Sequence, residues 1–246
     1  MIEYKFESIY WFADIIYQSV KSDVEFFNYN IDEFIQSATT FQKKSLLHIY
    51  AESTLYNYFN REFRKNGDCY EEDCIDEWRK IFSAYNVKLK YCECDFDNVE
   101  NDDCVYEWFS KNELCFKKLF KIISLEVVHI LFANKNFLLE FNKLARKSFE
   151  ELPKELLSNK GTVRRTAIPT WVKKAVFYRD YGRCVFCNKD LTGIFSTMAS
   201  SNYDHIIPLD KHGFNDICNI QLSCENCNKS KGAKEEIPIY KYEPRW

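Results

Sequence analysis

The sequence predicts a mainly α-helical N-terminal domain over residues 1–157 and a small α+β C-terminal domain over residues 164–236. Three observations support this. Apolar residues recur at helical spacing in the first part, two Cys-x-x-Cys pairs bracket a hairpin pattern in the second, and a polar segment at 158–163 has the composition of a linker. Residues 237–246 are expected to form a tail. With 246 residues, 46% of them apolar, the chain is long enough to build packed cores.

The N-terminal domain is predicted to be all-α because its apolar residues follow an i, i+3, i+4, i+7 spacing. A long second segment has a start signal, since Asn30 is a good N-cap and Glu33 stands where a capping-box acid reaches back. The stripes comprise Ile9, Phe12, Ala13, Ile16 and Val20, then Leu47, Tyr50, Ala51, Thr54, Leu55 and Tyr58, and finally Phe116, Leu119, Phe120, Ile123, Val127, Ile130 and Leu131.

Charge is unevenly divided along the chain. Residues 161–246 hold 13 Lys and Arg against 9 Asp and Glu, whereas residues 1–160 hold 21 against 28. The basic end is where nucleic acid is expected to bind. An acidic helical domain is a poor DNA binder, so it is expected to recognise a protein partner or to control the C-terminal domain.

The cellular compartment is expected to be the cytoplasm, without membrane contact. The N-terminus lacks the basic-then-apolar layout of a signal peptide, and the longest apolar run, residues 122–133, is too short to cross a bilayer. In a reducing compartment the 11 cysteines are expected to be thiols or metal ligands.

The strongest motif is a set of two Cys-x-x-Cys pairs, Cys184 with Cys187 and Cys224 with Cys227, separated by 36 residues. Each pair suits two ligands of a tetrahedral zinc ion, and four thiolates leave no open position for a substrate. A structural Zn²⁺ in a four-cysteine zinc knuckle is therefore predicted. The alternative is that these are reduced core cysteines. Cys218 fits neither pair and is interpreted as a buried residue.

A hairpin pattern lies between the pairs. Residues 203–209 have the sequence Tyr-Asp-His-Ile-Ile-Pro-Leu, a polar loop with Gly213 follows, and residues 219–222 form a second β-like run. Residues 225–234 then favour a short helix. Together they predict a ββα unit.

This region resembles the HNH endonuclease family, in particular its zinc-containing subgroup, from about residue 164 to residue 234. The resemblance implies a ββα-metal (His-Me finger) fold and metal-dependent hydrolysis of phosphodiester bonds in DNA. His205 matches the family's general base and Asp204 matches a metal ligand. Asn219 matches the central asparagine, which holds the hairpin loop so that the histidine is aimed. Asn228 takes the third motif position, which is often histidine.

The resulting His-Asn-Asn pattern is similar to that of HNH domains in RNA-guided CRISPR nucleases. Proteins that resemble this arrangement occur in bacterial restriction and anti-phage systems, which implies a role in antiviral defence. Phosphodiester hydrolysis needs a deprotonated water and a cation that stabilises charge on the phosphate. Oxygen ligands from Asp204 and Asn228 favour Mg²⁺ or Mn²⁺ as the catalytic ion.

In a regular strand Asp204 and His205 would point to opposite faces, so a backbone irregularity is predicted there.

The basic residues Arg179, Arg183 and Lys231 are candidates for contacts with the nucleic-acid backbone, although an ordinary solvated helix face is the alternative for any single one. Two alternatives to an active nuclease remain open. One is a catalytically silent, zinc-dependent nucleic-acid-binding module, and the other is a nuclease active only with a partner protein.

Overall fold

The structure, a computed structural model, describes residues 6–26, 29–65, 72–91, 104–193 and 202–235. The predicted tail, residues 237–246, lies outside them. The elements are α1 (Phe6–Lys21), α2 (Ile31–Thr39), α3 (Leu46–Lys65), α4 (Glu72–Ala84), α5 (Cys104–Lys111), α6 (Glu113–Phe132), α7 (Lys135–Ala145), α8 (Thr170–Arg179), β1 (Tyr203–His205), β2 (Ile220–Leu222) and α9 (Glu225–Lys231). Short 3-10 helices cover Arg146–Glu151, Lys154–Leu156, Leu209–Lys211 and Ile217–Asn219.

The first seven helices bury the apolar stripes seen in the sequence, so the prediction of a mainly helical N-terminal region is confirmed. The long helices α3 and α6 pack against each other and against α1. Aromatic rings fill the space between them, and Trp78 of α4 meets Phe59 of α3 edge to face with ring centroids 4.8 Å apart. Within the described ranges no single helix is long and apolar enough to cross a membrane.

The segment predicted to start at Asn30 is two helices rather than one. Asn30 does cap α2, because its side chain accepts hydrogen bonds from the backbone N–H groups of Asp32 and Glu33. Glu33 pairs with Lys44 at 2.6 Å. Thr40 ends α2 in an extended conformation, and α3 begins at Leu46. The break between the helices is where the C-terminal region docks.

The C-terminal region contains a small two-stranded sheet beside α8 and α9. β1 and β2 are antiparallel, with Tyr203 opposite Leu222 and His205 opposite Ile220. The short helix α8 begins directly after Pro169, which is its N-cap residue. An α+β composition of this region is therefore confirmed, whereas the ββα-metal fold remains a prediction.

The hairpin loop between the strands packs against the helical region. Phe214 meets Phe34 edge to face at 5.9 Å between ring centroids, and Asn142 of α7 donates a hydrogen bond to the Cys218 carbonyl at 2.8 Å. Ile206, Ile207, Leu209, Phe214 and Cys218 belong to the same hydrophobic cluster as the helices. One continuous core thus joins the loop to the helices.

The segment predicted as a linker forms a closed turn. Ser158 donates its N–H to the Thr162 carbonyl at 2.7 Å, and Leu157 bridges to Val163. Gly161 has a φ of +70°, which glycine adopts at no steric cost. The domain boundaries remain predictions.

Candidate functional site

The four cysteines of the two Cys-x-x-Cys pairs converge. Their sulfur atoms all lie within 4.8 Å of one another, and Cys187 Sγ is 3.7 Å from Cys224 Sγ. Tetrahedral Zn–S bonds of about 2.3 Å would place neighbouring sulfurs about 3.8 Å apart. The cluster therefore fits a single tetrahedral metal ion, consistent with a structural zinc. No second group of three or more His, Cys, Asp or Glu side chains has ligand geometry elsewhere in the described ranges.

Local backbone structure holds these thiols in place. The first pair lies in a tight knuckle, where Asn188 N–H donates to the Cys184 carbonyl and Asn188 has a φ of +58°. Val185 N–H donates to the Leu222 carbonyl at 2.9 Å, which fastens the knuckle to β2. In the second pair, Cys224 caps α9 and its sulfur accepts from the Cys227 N–H. The metal cluster is thus continuous with the sheet.

The thiols do not titrate alike. Burial raises the pKa of Cys187 and of Cys227. Burial acts in the same direction on Cys224, but hydrogen bonds from the Cys227 backbone and from the neighbouring thiols hold the pKa of Cys224 at about 7, below its ordinary value. A thiol that ionises near neutral pH is suited to metal binding.

His205 is the last residue of β1, and a bend follows at residues 206–207. Tyr203 and His205 are buried on one face, whereas Asp204 is partly exposed. β1 therefore ends directly after Asp204 and His205, and its side chains still alternate between buried and partly exposed up to that end.

His205 is only 1% exposed. Neither ring nitrogen has a hydrogen-bond partner among the described residues. Burial lowers the pKa of His205 to about 3 and the charge of Arg165 acts in the same direction, whereas the nearby Asn215 side chain, which is close to the ring but does not meet hydrogen-bond geometry, raises it. The ring is therefore neutral at pH 7, which is the form a proton acceptor requires.

Asn219 clamps the loop that follows His205. Its Oδ1 accepts from the Ile207 N–H at 2.8 Å, and its Nδ2 donates to the carbonyls of Ile207 (3.0 Å) and Phe214 (2.9 Å). The backbone of Gly213 lies against the backbone of Ile207, so that a Cβ at position 213 would be 2.0 Å from the Ile207 carbonyl oxygen. The loop is therefore fixed by a buried amide and by a backbone approach that only glycine permits.

Asp204 is engaged by Lys231 of α9. Lys231 Nζ lies 2.7 Å from Asp204 Oδ2 and donates to the His205 carbonyl at 2.8 Å, and the Lys231 side chain is 0% exposed. Asn228, on the same helix, is partly exposed. The ammonium of Lys231 therefore lies inside the molecule, and the predicted contact of Lys231 with a phosphate would require it to leave Asp204.

The other basic candidates differ in exposure. Arg179 is buried, makes two hydrogen bonds of 2.8 Å to the Asp180 carboxylate, and donates to the Ile220 carbonyl at 2.7 Å. Arg183 is exposed and donates to the Asn188 carbonyl. Arg165 is exposed and close enough to act on His205 electrostatically. Of the three predicted backbone contacts, Arg183 is the one exposed in this conformation, and Arg165 is a further exposed cation that acts on His205.

Sequence reasoning missed three buried polar residues that position the site. Asp180 accepts from the Leu222 N–H at 2.8 Å as well as from Arg179. Asn215 donates to the carbonyls of Thr39 and Arg164. Asp216 accepts from the Leu46 N–H at 2.9 Å, and burial raises its pKa to about 6 against the effect of its N–H donors. The Asn-Asp dipeptide at 215–216 signals only a turn.

Residues 184–234 match the model of the HNH endonuclease family. No curated protein and no solved structure matches the chain. The matched segment contains both cysteine pairs, the Asp204–His205 pair, Asn219 and Asn228. Residues 184–234 are therefore similar to the HNH endonuclease domain, which indicates a nuclease or nucleic-acid-binding function.

Proposed function

We propose that this protein is a metal-dependent endonuclease that hydrolyses phosphodiester bonds in DNA, with His205 as the general base. The observation that carries the proposal is the Asn219 clamp. Its three hydrogen bonds fix the loop directly after His205, and it lies inside the segment that matches the HNH family. The clamp supplies the fixed geometry that a base needs.

His205 would accept a proton from the attacking water on a ring nitrogen. Neither nitrogen makes a hydrogen bond of good geometry within the described chain, and Asn215 is the polar side chain that acts on the ring. The low pKa of the ring follows from its burial. Entry of water and substrate would hydrate the ring and move its pKa toward the ordinary value, which would make it a stronger base.

Asp204 and Asn228 would hold the catalytic cation, Mg²⁺ or Mn²⁺, through carboxylate and amide oxygens. The site accepts positive charge, because the Lys231 ammonium already lies 2.7 Å from Asp204. When bound, the ion would stabilise negative charge on the phosphate. Arg183 and Arg165, both exposed, would contact the DNA backbone.

A second candidate is a nuclease that is active only with a partner. It is favoured by the burial of His205 and by the Asp204–Lys231 ion pair, which together keep the base and the acid from an approaching phosphate. The acidic helical region, which shares a core with the hairpin loop, would receive the partner. A restriction or anti-phage role in the bacterial cytoplasm is the biological setting we propose for either case.

The test is a plasmid-cleavage assay with Mg²⁺ or Mn²⁺, comparing the wild type with His205→Ala. We expect nicking or linearisation that depends on the ion and disappears in the variant. His212→Asn is the matched control, because His212 is exposed and asparagine tolerates its φ of +62°. It should cut like the wild type.

Two results would decide against the enzyme. One is zinc-loaded protein that binds DNA but cuts it with neither ion, alone or with cell extract. The other is cleavage that survives His205→Ala, which would remove His205 from the role of base. Cleavage that appears after extract is added to the wild type, but not after the same extract is added to His205→Ala, would favour the partner-dependent nuclease.

A further inference from the structure

We infer that the protein has a second ligand site, a cavity of about 490 Å³ between α3, α6 and α8 that binds a mononucleotide. The cavity is in the size range of small-molecule sites, and it lies at the junction of the helical region with the zinc-bearing region. Its walls come from residues 43–48, 125–133, 171–179 and 217–218. The inference goes beyond the proposed nuclease function, because His205, Asp204 and Asn228 are not among the lining residues.

The walls are mainly apolar and carry aromatic rings. Phe132 comes from α6, and Trp171 and Tyr178 come from α8. Tyr178 is 74% exposed and Leu125, on the opposite helix, is 48% exposed. Large apolar side chains left in contact with water around a concavity are typical of a binding site for a flat, weakly polar group.

The charged side chains that line the cavity, Lys43 and Arg179, are both basic. Lys43 lines the cavity and its Nζ lies 4.0 Å from the centroid of the Trp171 ring. No aspartate or glutamate is among the described residues that form the walls. Arg179 is balanced by Asp180, so Lys43 supplies the uncompensated charge. A ligand with an anionic group next to an aromatic ring complements this arrangement.

His48 adds a hydrogen-bond donor. Its Nδ1 accepts from the Ser45 N–H at 3.1 Å and lies 2.7 Å from Ser45 Oγ, so the proton of the neutral ring is on Nε2. Burial lowers the pKa of His48 to about 4, which keeps the ring neutral at pH 7. A neutral N–H donor beside stacking rings and one lysine suits a nucleobase that carries a phosphate.

The inference is tested by isothermal titration calorimetry of the full chain with AMP, without added divalent ions. Adenosine and inorganic phosphate are titrated separately. We expect AMP to saturate one site per chain with a Kd below about 1 mM, adenosine to bind about tenfold more weakly or worse, and phosphate alone to give no saturable heat.

Variants locate the site. Ala175→Trp would fill the cavity from α8 and should abolish AMP binding, and Lys43→Glu should weaken it by about tenfold or more. Lys174→Glu makes the same charge change on α8, but Lys174 is exposed and does not line the cavity, so AMP binding should be unchanged. His205→Ala should also bind AMP normally, which separates this site from the nuclease site.

Three results would overturn the inference. They are the absence of saturable AMP binding, AMP binding that survives both Ala175→Trp and Lys43→Glu, and AMP binding that His205→Ala removes. Circular dichroism and zinc content establish that each variant is folded. If Ala175→Trp fails to fold, the surface pair Lys43→Glu and Lys174→Glu decides the outcome.

Discussion

Lys231 and Asp204 form an ion pair of 2.7 Å in which the lysine side chain is completely buried. A buried ammonium is costly to desolvate, so it remains only where a carboxylate and further acceptors receive it. Here Asp204 Oδ2 and the His205 carbonyl are those acceptors. The same carboxylate is the proposed ligand of the catalytic ion, so lysine and metal compete for it.

Replacing Lys231 should reveal this competition. Lys231→Met should lower the free energy of unfolding by about 3 kcal/mol without divalent ions, because Asp204 loses its partner. Added Mg²⁺ should then raise the melting temperature more in the variant than in the wild type, since the ammonium no longer opposes the ion. Differential scanning fluorimetry with and without Mg²⁺ measures both effects.

Lys229→Met is the matched control, because Lys229 lies on the same helix but is exposed and pairs with Glu225. It should behave like the wild type. An Mg²⁺ effect on Lys231→Met no larger than that on the wild type would argue against Asp204 as a metal ligand.

The four-cysteine cluster, with zinc as its expected ion, should be essential for stability. Cys184→Ser should lose bound zinc and unfold the C-terminal region at a lower temperature, because metal binding contributes directly to the folding of such sites. Metal analysis of the purified protein and thermal melts check this. Cys115→Ser, on α6 and outside the cluster, should retain zinc and melt normally. Full zinc content in Cys184→Ser would disprove the four-cysteine site.

The hairpin loop should lose stability when the side-chain amide of Asn219 is removed. Asn219→Ala leaves three buried backbone groups unsatisfied, at about 1–3 kcal/mol each. We therefore expect a loss of at least about 3 kcal/mol in the free energy of unfolding, measured by urea denaturation.

Gly213→Ala should damage the same loop, because its Cβ would be 2.0 Å from the Ile207 oxygen. Gly161→Ala is the control, since a Cβ at Gly161 would meet no atom within 4 Å and only the φ of +70° opposes alanine. That change should cost about 1–2 kcal/mol. Equal stability losses in the two variants would show that the loop has room to adjust.

His48 should make stability depend on pH. Its pKa is lowered to about 4 in the folded state, so unfolding at acid pH binds a proton. The contribution of the neutral His48 to the stability of the folded state is therefore complete above about pH 6.5, and it is lost as the pH falls toward 4. The loss should amount to about 2–3 kcal/mol over that range.

His48→Gln removes the titration and keeps an acceptor for the Ser45 N–H, since glutamine serves in a capping box. From pH 7 to pH 5 the free energy of unfolding, measured by denaturation at each pH, should fall by about 2 kcal/mol more in the wild type than in this variant. Asp216 acts with the opposite sign, because its raised pKa favours the folded state as the pH falls, and comparing the two proteins cancels that contribution. Identical pH profiles would contradict the prediction.

The sequence predicted the features that depend on local spacing. Helical periodicity placed the buried stripes, and the two cysteine pairs predicted the four-cysteine cluster. It forms because one pair lies in a tight knuckle and the other in the first turn of α9. The hairpin followed from the runs on either side of Gly213. These patterns involve residues that are near neighbours in the chain, or cysteines that bind the same metal ion.

Long-range polar contacts could not be predicted in the same way. Asp216 meets Leu46 across 170 positions, and Lys231 meets Asp204 inside the molecule, where a lysine is rarely found. The basic character of Arg179 and Lys231 predicted an exposed surface, whereas their partners draw both side chains inward. Such pairings depend on the assembled fold, and charge pattern alone does not reveal them.

The bond from Leu46 to Asp216 has a consequence for synthesis. The ribosome makes α3 long before residue 216 leaves the exit tunnel, so the N–H of Leu46 lacks its native acceptor during most of translation. Domains usually fold as they emerge, from the N-terminus onward. Here one buried N–H of the helical region obtains its acceptor only after residue 216 has been made, so a nascent chain that stops earlier would leave the N–H of Leu46 without that acceptor.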